Sequence, residues 1–243
     1  MRVAIISDIH ANRHAFEAVL DDIAESSVEE VWCLGDLVGY GGEPDACVSL
    51  AREHATVCLA GNHDLAVTGD VSLEDFSRTA AAAVRWTRGA ISDKTREFLG
   101  GLRPAGERYA VGLYHASPRE PVWEYVLAAG LAERCLDTQT HRMCLIGHSH
   151  VALSFERQVG ASVTGAWRGE GSEVGLGDSE WLLNPGSVGQ PRDGDPRAAW
   201  MVLDLTTQAA RYRRCEYDIA GAANAIRAAE LPESLAERLE YGQ

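Results

Sequence analysis

Apolar residues recur along this chain in short runs, and the runs keep stopping at the same kinds of polar residue. Val3-Ala4-Ile5-Ile6-Ser7 runs into Asp8-Ile9-His10, and Val31-Trp32-Cys33-Leu34 into Gly35-Asp36. Val57-Cys58-Leu59-Ala60 runs into Gly61-Asn62-His63-Asp64, Val111-Gly112-Leu113-Tyr114 into His115, and Met143-Cys144-Leu145-Ile146 into Gly147-His148-Ser149-His150. Apolar runs this short, bounded by turn residues, predict buried strands. Between the first three the period changes to 3.6. Phe16, Val19, Leu20 and Ile23 share a face after Asn12, an N-cap candidate, and a second helix is predicted over 44–53. With the third strand over 55–60, the order is strand, helix, strand, helix, strand, which favours a parallel sheet with right-handed crossovers.

From Ser72 to Leu99 the pattern is helical. Ser72 with Asp75 predicts a capping box, and Phe76, Ala80, Ala83, Val84 and Thr87 form the apolar face that follows. A second start at Ser92 and a stop at Gly100-Gly101 complete two helices beside the sheet, overhanging its strand ends. Residues 109–114 predict a strand, 121–137 a helical stretch with a loop at its start, and 143–146 a strand returning to the first sheet. The remainder changes character: 152–157, 162–167, 181–183, 198–205 and 209–217 are short strand patterns split by Gly-rich turns, which predicts a mainly antiparallel second sheet. Two sheets packed face to face with helices outside make an α/β fold of four layers. The last strong signals are helices over 220–229 and after Pro232, so 218–243 is expected to be a helical tail. No linker, repeat or low-complexity block interrupts the chain, and 1–243 is expected to form a single domain.

The residues at the run ends carry the chemistry. In open α/β sheets, ligands sit at the carboxyl ends of strands. Carboxylate, imidazole and amide oxygen without thiolate is a donor set for manganese, iron, zinc or nickel. Asp8/His10 and His148/His150 are spaced i, i+2, so in extended chain each pair faces one side. Each site has an ordinary explanation on its own. Gly61-Asn62-His63-Asp64 would make a turn, Asp8 would suit a helix N-terminus, Asp36 would follow Gly35 in a turn, and His115 would be a buried ring bonded to a carbonyl. Five repetitions of one design favour ligands over five coincidences.

The order Asp-x-His, Gly-Asp, Gly-Asn-His-Asp, His, Gly-His-x-His resembles the calcineurin-like metallophosphoesterase family, and more narrowly its small prokaryotic phosphodiesterase branch. The likeness runs from Asp8 to about Arg192, and only the tail after about Tyr217 lies outside it. It implies an αββα sandwich with a dinuclear metal site at strand ends. Asp8, His10 and His150 would hold one ion, Asn62, His115 and His148 the other, and Asp36 would bridge them. The resemblance further implies two divalent ions, manganese first and iron, zinc, nickel or cobalt as alternatives. A hydroxide shared by them would attack phosphorus, with His63 as general acid and Asp64 orienting its ring and raising its pKa. Where phosphatases of this family carry an acid-arginine pair after Gly-Asp, this chain has Gly39-Tyr40. The missing cation favours a phosphodiesterase. A phosphomonoesterase or nucleotide pyrophosphatase, and a non-catalytic metal-binding scaffold, are the alternatives. The turn-rich stretch from Asn184 to Arg192 is expected to be structural, with Asn12 and Arg192 as candidate substrate contacts. His14, His54 and His141 lie in helical or loop contexts and are expected to be ordinary surface or cap residues.

Composition narrows the partners. A net charge of −14 without a basic cluster disfavours nucleic acid, while two divalent ions would still draw a small anionic ester. The chain enters its first strand at once, and no run approaches the ~20 apolar residues of a membrane span. The six cysteines lack any Cys-x-x-Cys pair, and three of them fall inside apolar runs, which is the usage of a reducing compartment. A cytoplasmic enzyme acting on a small phosphoester is expected, and assembly into a homo-oligomer is compatible with the sequence.

Overall fold

A computed structural model describes residues 1–243. Its twelve strands form two six-stranded mixed sheets. The first has the spatial order β3 (Val57–Cys58), β2 (Glu30–Cys33), β1 (Arg2–Ile6), β11 (Ala198–Asp204), β12 (Ala209–Cys215) and β9 (Glu173–Gly175). The second runs β4 (Ala105–Arg108), β5 (Val111–Tyr114), β6 (Met143–Leu145), β10 (Glu180–Pro185), β7 (Ala152–Arg157) and β8 (Thr164–Trp167).

Alternation along β1 builds the layers. Val3 and Ile5 point between the sheets, where they meet Trp32, Leu113, Leu145, Leu183, Met201 and Tyr212. Ala4 and Ile6 point the other way, toward Phe16 and Val19 of α1 (Arg13–Glu25) and Val48 of α2 (Pro44–His54). On that side also lie α3 (Asn62–Thr68), α4 (Arg78–Ala90) and α5 (Asp93–Gly101), while α6 (Ala129–Thr138) covers the outer face of the second sheet. Helices α7 (Ile219–Ala228) and α8 (Glu233–Glu237) end in a 3-10 turn, Arg238–Glu240. They bury Ala222, Ile226, Leu235 and Leu239 with Ala83 of α4. The four-layer αββα arrangement is as expected.

Membership of the sheets is not. β11 and β12 join the first sheet, with β11 antiparallel to β1 in the register Val3↔Leu203, while β5 and β6 lie parallel to each other in the second. Alternation states that a strand has a buried face, but not which neighbour covers its edge. Other departures have local causes. The α4 cap is Ser77, whose Oγ accepts from the Ala80 N–H at 3.2 Å, whereas the Ser72 hydroxyl is used by the Glu74 N–H in a short turn. The predicted helix over 121–137 begins only at Ala129. Ahead of it, Ser117 accepts from the Arg119 and Glu120 N–H groups and Glu120 from those of Val122 and Trp123, so side chains hold the backbone in a loop. Strand β3 is shorter than expected because the Ala60 N–H leaves the ladder for the Arg103 carbonyl. Asn12 caps α1 as expected, its Oδ1 accepting from the Ala15 N–H at 3.1 Å.

Candidate metal centre

The loops after the strands converge on one end of the sandwich. There the backbone adopts conformations that side chains rarely tolerate. Asp8, His10 and Ala11 have φ of 56°, 50° and 52°, Asp36 55°, His148 62° and His150 59°. Each such residue costs on the order of 1–3 kcal/mol and persists only where its surroundings fix it. The fixing bonds are visible. The Asp8 N–H donates to the Gly35 carbonyl at 3.0 Å, that of His10 to Asp36 at 2.9 Å, and that of Gly189 to Asp8 at 2.9 Å. The i, i+2 pairs are therefore not in extended chain as expected. They sit in left-handed turns, which send His148 and His150 into different clusters.

Two donor sets result. Asp8, His10, Asp36 and His150 form one, and Asp36, His115 and His148 the other. Within each set the ligand atoms lie within 4.8 Å of one another. Asn62 joins the second, its Oδ1 lying 3.1 Å from His115 Nε2. The far sides of the rings fix what the near sides offer. His10 Nδ1 faces the Val38 carbonyl at 3.1 Å, His150 Nδ1 that of Gln190 at 2.6 Å, and His115 Nδ1 that of Leu34 at 3.0 Å. A carbonyl accepts only, so each of these nitrogens carries the proton and each Nε2 is left with a bare lone pair. Yet His10 Nε2 and His150 Nε2 stand 3.0 Å apart, and His115 Nε2 faces an amide oxygen and, at 3.6 Å, Asp36 Oδ2. Lone pairs aimed at one another repel, and cations among them turn repulsion into ligation. The residues present fit two divalent ions.

Residues 1–208 match the calcineurin-like phosphoesterase superfamily domain. The chain belongs to that superfamily. A metallophosphoesterase from Sphaerobacter thermophilus is 38% identical, with a TM-score of 0.91 over 100% of this chain and 99% of that one. An uncharacterised protein of Methanocaldococcus jannaschii is 36% identical over 99% of this chain and 98% of its own. A hypothetical protein from Pyrococcus horikoshii, 18% identical, shares the fold at a TM-score of 0.80 over 100% of this chain and 98% of that one. The superfamily catalyses metal-dependent phosphoester hydrolysis, and this member's two donor sets could hold two divalent ions. None of its helices is long and apolar enough to cross a membrane.

In this phosphoesterase the donor sets floor a cleft of about 240 Å³, walled by Tyr40, Phe76, Trp123 and Tyr125 and reached by Arg192 and Arg238. His63 stands in it, its ring packed against Tyr40 and Phe76 with centroid separations of 4.4 and 5.0 Å. Glycine at position 39, with φ 91°, is required here, because a Cβ would lie 2.3 Å from His63 Nδ1. Asp64 does not orient that ring. Its carboxylate accepts from the N–H groups of Leu37, Val38 and Gly61 at 3.2, 3.1 and 2.9 Å, while His63 Nδ1 is buried without a partner. Asp64 thus braces the Asp36 loop, and packing holds His63. Burial also pushes the His63 pKa down, followed by the charge of Arg192, so the expected rise is absent. Asn12 does not line this cleft: its Oδ1 caps α1 and its Nδ2 donates to the Gly189 carbonyl at 2.9 Å. The 184–192 stretch is structural, with Ser187 Oγ donating to the Asp8 carbonyl at 2.7 Å, but its end, Arg192, does reach the cleft. His14, His54 and His141 lie outside the cleft. Arg238 and the aromatic wall carry no motif in the sequence, and Tyr40, standing where an arginine is usual, is their one local signal.

Burial raises the Asp8 pKa from 3.8 to about 7, and Asp36 is driven well up by burial and then by the charges of Asp64 and Asp8. His115 falls to about 4 by burial, and His10, His148 and His150 are pushed well down for the same reason. The imidazoles are therefore neutral and ready at pH 6, whereas Asp8 still holds a proton that a cation must expel. Metal affinity is expected to weaken as pH falls from 8 to 6, with more protons released on binding at pH 6. Calorimetric titration of chelator-treated protein with Mn²⁺, in two buffers of different ionisation enthalpy, measures that release. Equal release at both pH values would mean that Asp8 is ionised before metal arrives.

Proposed function

We propose that this chain hydrolyses a small phosphoester in the cleft. Asp8, His10, Asp36, Asn62, His115, His148 and His150 would hold two divalent ions, manganese first among them, and His63 would protonate the leaving oxygen. The convergence of bare imidazole nitrogens on the Asp36 carboxylate, at the floor of an open cleft, carries this reading. Two bound ions would supply positive charge to phosphoryl oxygens and lower the pKa of a water to make a nucleophile. The rest is work for the protein. Asp36 serves both sets, and its Oδ1 is steadied by the His63 N–H at 2.8 Å. Asn62 adds an oxygen donor without adding charge, so it does not weaken the pull on a phosphate. His63, wedged between Tyr40 and Phe76, meets an oxygen departing into the cleft. Phe76 and Trp123, edge to face at 5.0 Å, keep water from that wall.

In the sequence, the ground for a phosphodiester preference is Gly39-Tyr40, where no arginine stands. That ground weakens in three dimensions, since the Arg192 guanidinium carbon lies 5.6 Å from the centre of the Tyr40 ring itself. A cation reaches the place by another route, which favours the second reading, a phosphomonoesterase or nucleotide pyrophosphatase. A non-catalytic scaffold is disfavoured because His63 and both donor sets are intact.

The test is a panel of bis(p-nitrophenyl) phosphate, p-nitrophenyl phosphate and a nucleoside triphosphate, run on chelator-treated protein before and after adding Mn²⁺. Turnover is expected only with metal, with the monoester or triphosphate at least equal to the diester in kcat/KM. A tenfold advantage for the diester would reinstate the phosphodiesterase. Silence across the panel in manganese, iron, zinc, nickel and cobalt would leave the scaffold.

A further inference from the structure

We propose that Arg192 and Arg238 form a second anion subsite beside the candidate metal centre, and that the substrate is a phosphoester carrying a further phosphate group. This rests on the phosphoester reading above and names the class of ester. The two guanidinium groups are clamped to one neutral acceptor: Gln190 Oε1 takes a hydrogen bond from Arg192 Nη2 at 2.9 Å and from Arg238 Nη1 at 3.2 Å. Neither makes a salt bridge, although Arg197 and Arg214 close by in the chain pair with Asp195 and Asp193. A shortage of carboxylates is not the reason, because the chain carries 36 acids against 22 bases. Asp75 in the same wall and Glu237 just outside it pair with neither arginine. The Arg192 Nε is buried without a partner. Two like charges held together and partly withdrawn from water are costly unless an anion completes them.

Their placement defines the ligand. Arg192 is tied to the candidate ligand His150 by its own N–H, which donates to the His150 carbonyl at 3.0 Å. Its guanidinium lies over Tyr40, whose ring packs on His10 and His63 at 4.6 and 4.4 Å. One aromatic ring therefore separates the subsite from the reacting end of the cleft. Arg238 lines both this cleft and an adjoining outer depression of about 410 Å³, which also share Tyr40 and Ser77. A second phosphate at that junction leaves the remainder of the molecule room to extend outward. Arg238 comes from the tail, beyond the residues 1–208 common to the superfamily, and Leu235 and Leu239 anchor it in the core. The tail is thus a specificity element. A bidentate arginine contact is the geometry that favours phosphate over a neutral arm.

Two measurements on Mn²⁺-loaded protein test this. The first compares p-nitrophenol release from thymidine 5′-(p-nitrophenyl phosphate) and from the same ester bearing a 3′-phosphate. At least tenfold higher kcat/KM is expected for the second, and Arg238→Gln should reduce that ratio toward one while Arg238→Lys retains part of it. The second measures Kd for methylenebisphosphonate and methylphosphonate, which the protein cannot cleave. Arg192→Gln and Arg238→Gln should each weaken the bisphosphonate at least tenfold more than the monophosphonate. Arginine-dependent binding, with neither these esters nor the monoester and triphosphate of the panel above cleaved, would sink the hydrolase reading and keep the subsite. Esters cleaved at equal rates, with both phosphonates affected alike by the substitutions, would sink the subsite and keep the hydrolase.

Discussion

Asp36→Asn will fold, lose both metal ions together, and lose its activity with them. The geometry makes this substitution sharper than most. Asp36 Oδ1 accepts from the His63 N–H at 2.8 Å, so an asparagine will place its oxygen there. Its NH₂ then falls where Oδ2 lies, 3.5 Å from His10 Nε2 and 3.6 Å from His115 Nε2. Both nitrogens are bare, and each will accept from that amide. A ligand common to both sets becomes a donor that caps one nitrogen in each. Loss of several kcal/mol of charge stabilisation corresponds to about 10³-fold or more in rate, at tenfold per 1.36 kcal/mol. Stability moves the other way. The folded pKa of Asp36 lies above its ordinary value, so the fold favours the protonated form and loses stability as pH rises through that folded pKa. A neutral isostere removes this cost. The metal-free variant is expected to melt at or above metal-free wild type at pH 8, and addition of Mn²⁺ should stabilise only wild type. Metal analysis that finds one ion retained per chain would show that Asp36 does not serve both sets.

The strands and the residues after them could be read from the sequence because both have local signatures. An apolar run that stops at aspartate or histidine speaks for itself, and Asp8, Asp36, Asn62, His115 and His150 do meet in space. What could not be read depends on residues far apart in the chain. The partner of β1 on its open side is β11, nearly two hundred residues later, and nothing in Val3-Ala4-Ile5 names it. Asp64 sits next to His63 in sequence, but the 36–38 loop comes close enough to take its carboxylate for backbone N–H groups. Gly39-Tyr40 was visible as a departure. Its compensation was half visible: Arg192, which lies over Tyr40, ends a stretch that could be read, whereas Arg238 arrives from a tail with no motif of its own. The strained backbone at Asp8, His10, His148 and His150 was likewise hidden, since aspartate and histidine are enriched among left-handed residues but most of them adopt ordinary backbone.

His63→Ala will keep both ions and lose turnover, most of all for leaving groups that need a proton. The ring contributes to neither donor set, and its N–H bond to Asp36 comes from the backbone, which alanine preserves. Its Nδ1 is buried without a partner, so the substitution strands no other polar group. What is lost is the imidazole facing the cleft. General acid catalysis is typically worth about 10²–10⁴-fold, and the benefit grows with the pKa of the departing oxygen. Nitrophenolate leaves readily without help, whereas a nucleoside alkoxide does not. The expected result is a modest loss with a nitrophenyl ester and a loss toward the upper end of that range with an alkyl ester, at unchanged metal content. The pH profile should change as well. Burial and the Arg192 charge lower the His63 pKa, and a bound phosphate opposes both by favouring the imidazolium. In wild type, kcat for the alkyl ester should therefore fall as pH rises through the His63 pKa in the complex, and that limb should vanish in the variant. Equal losses for both esters, with the limb still present, would make His63 a wall of the cleft rather than its acid. The proton would then have to come from solvent.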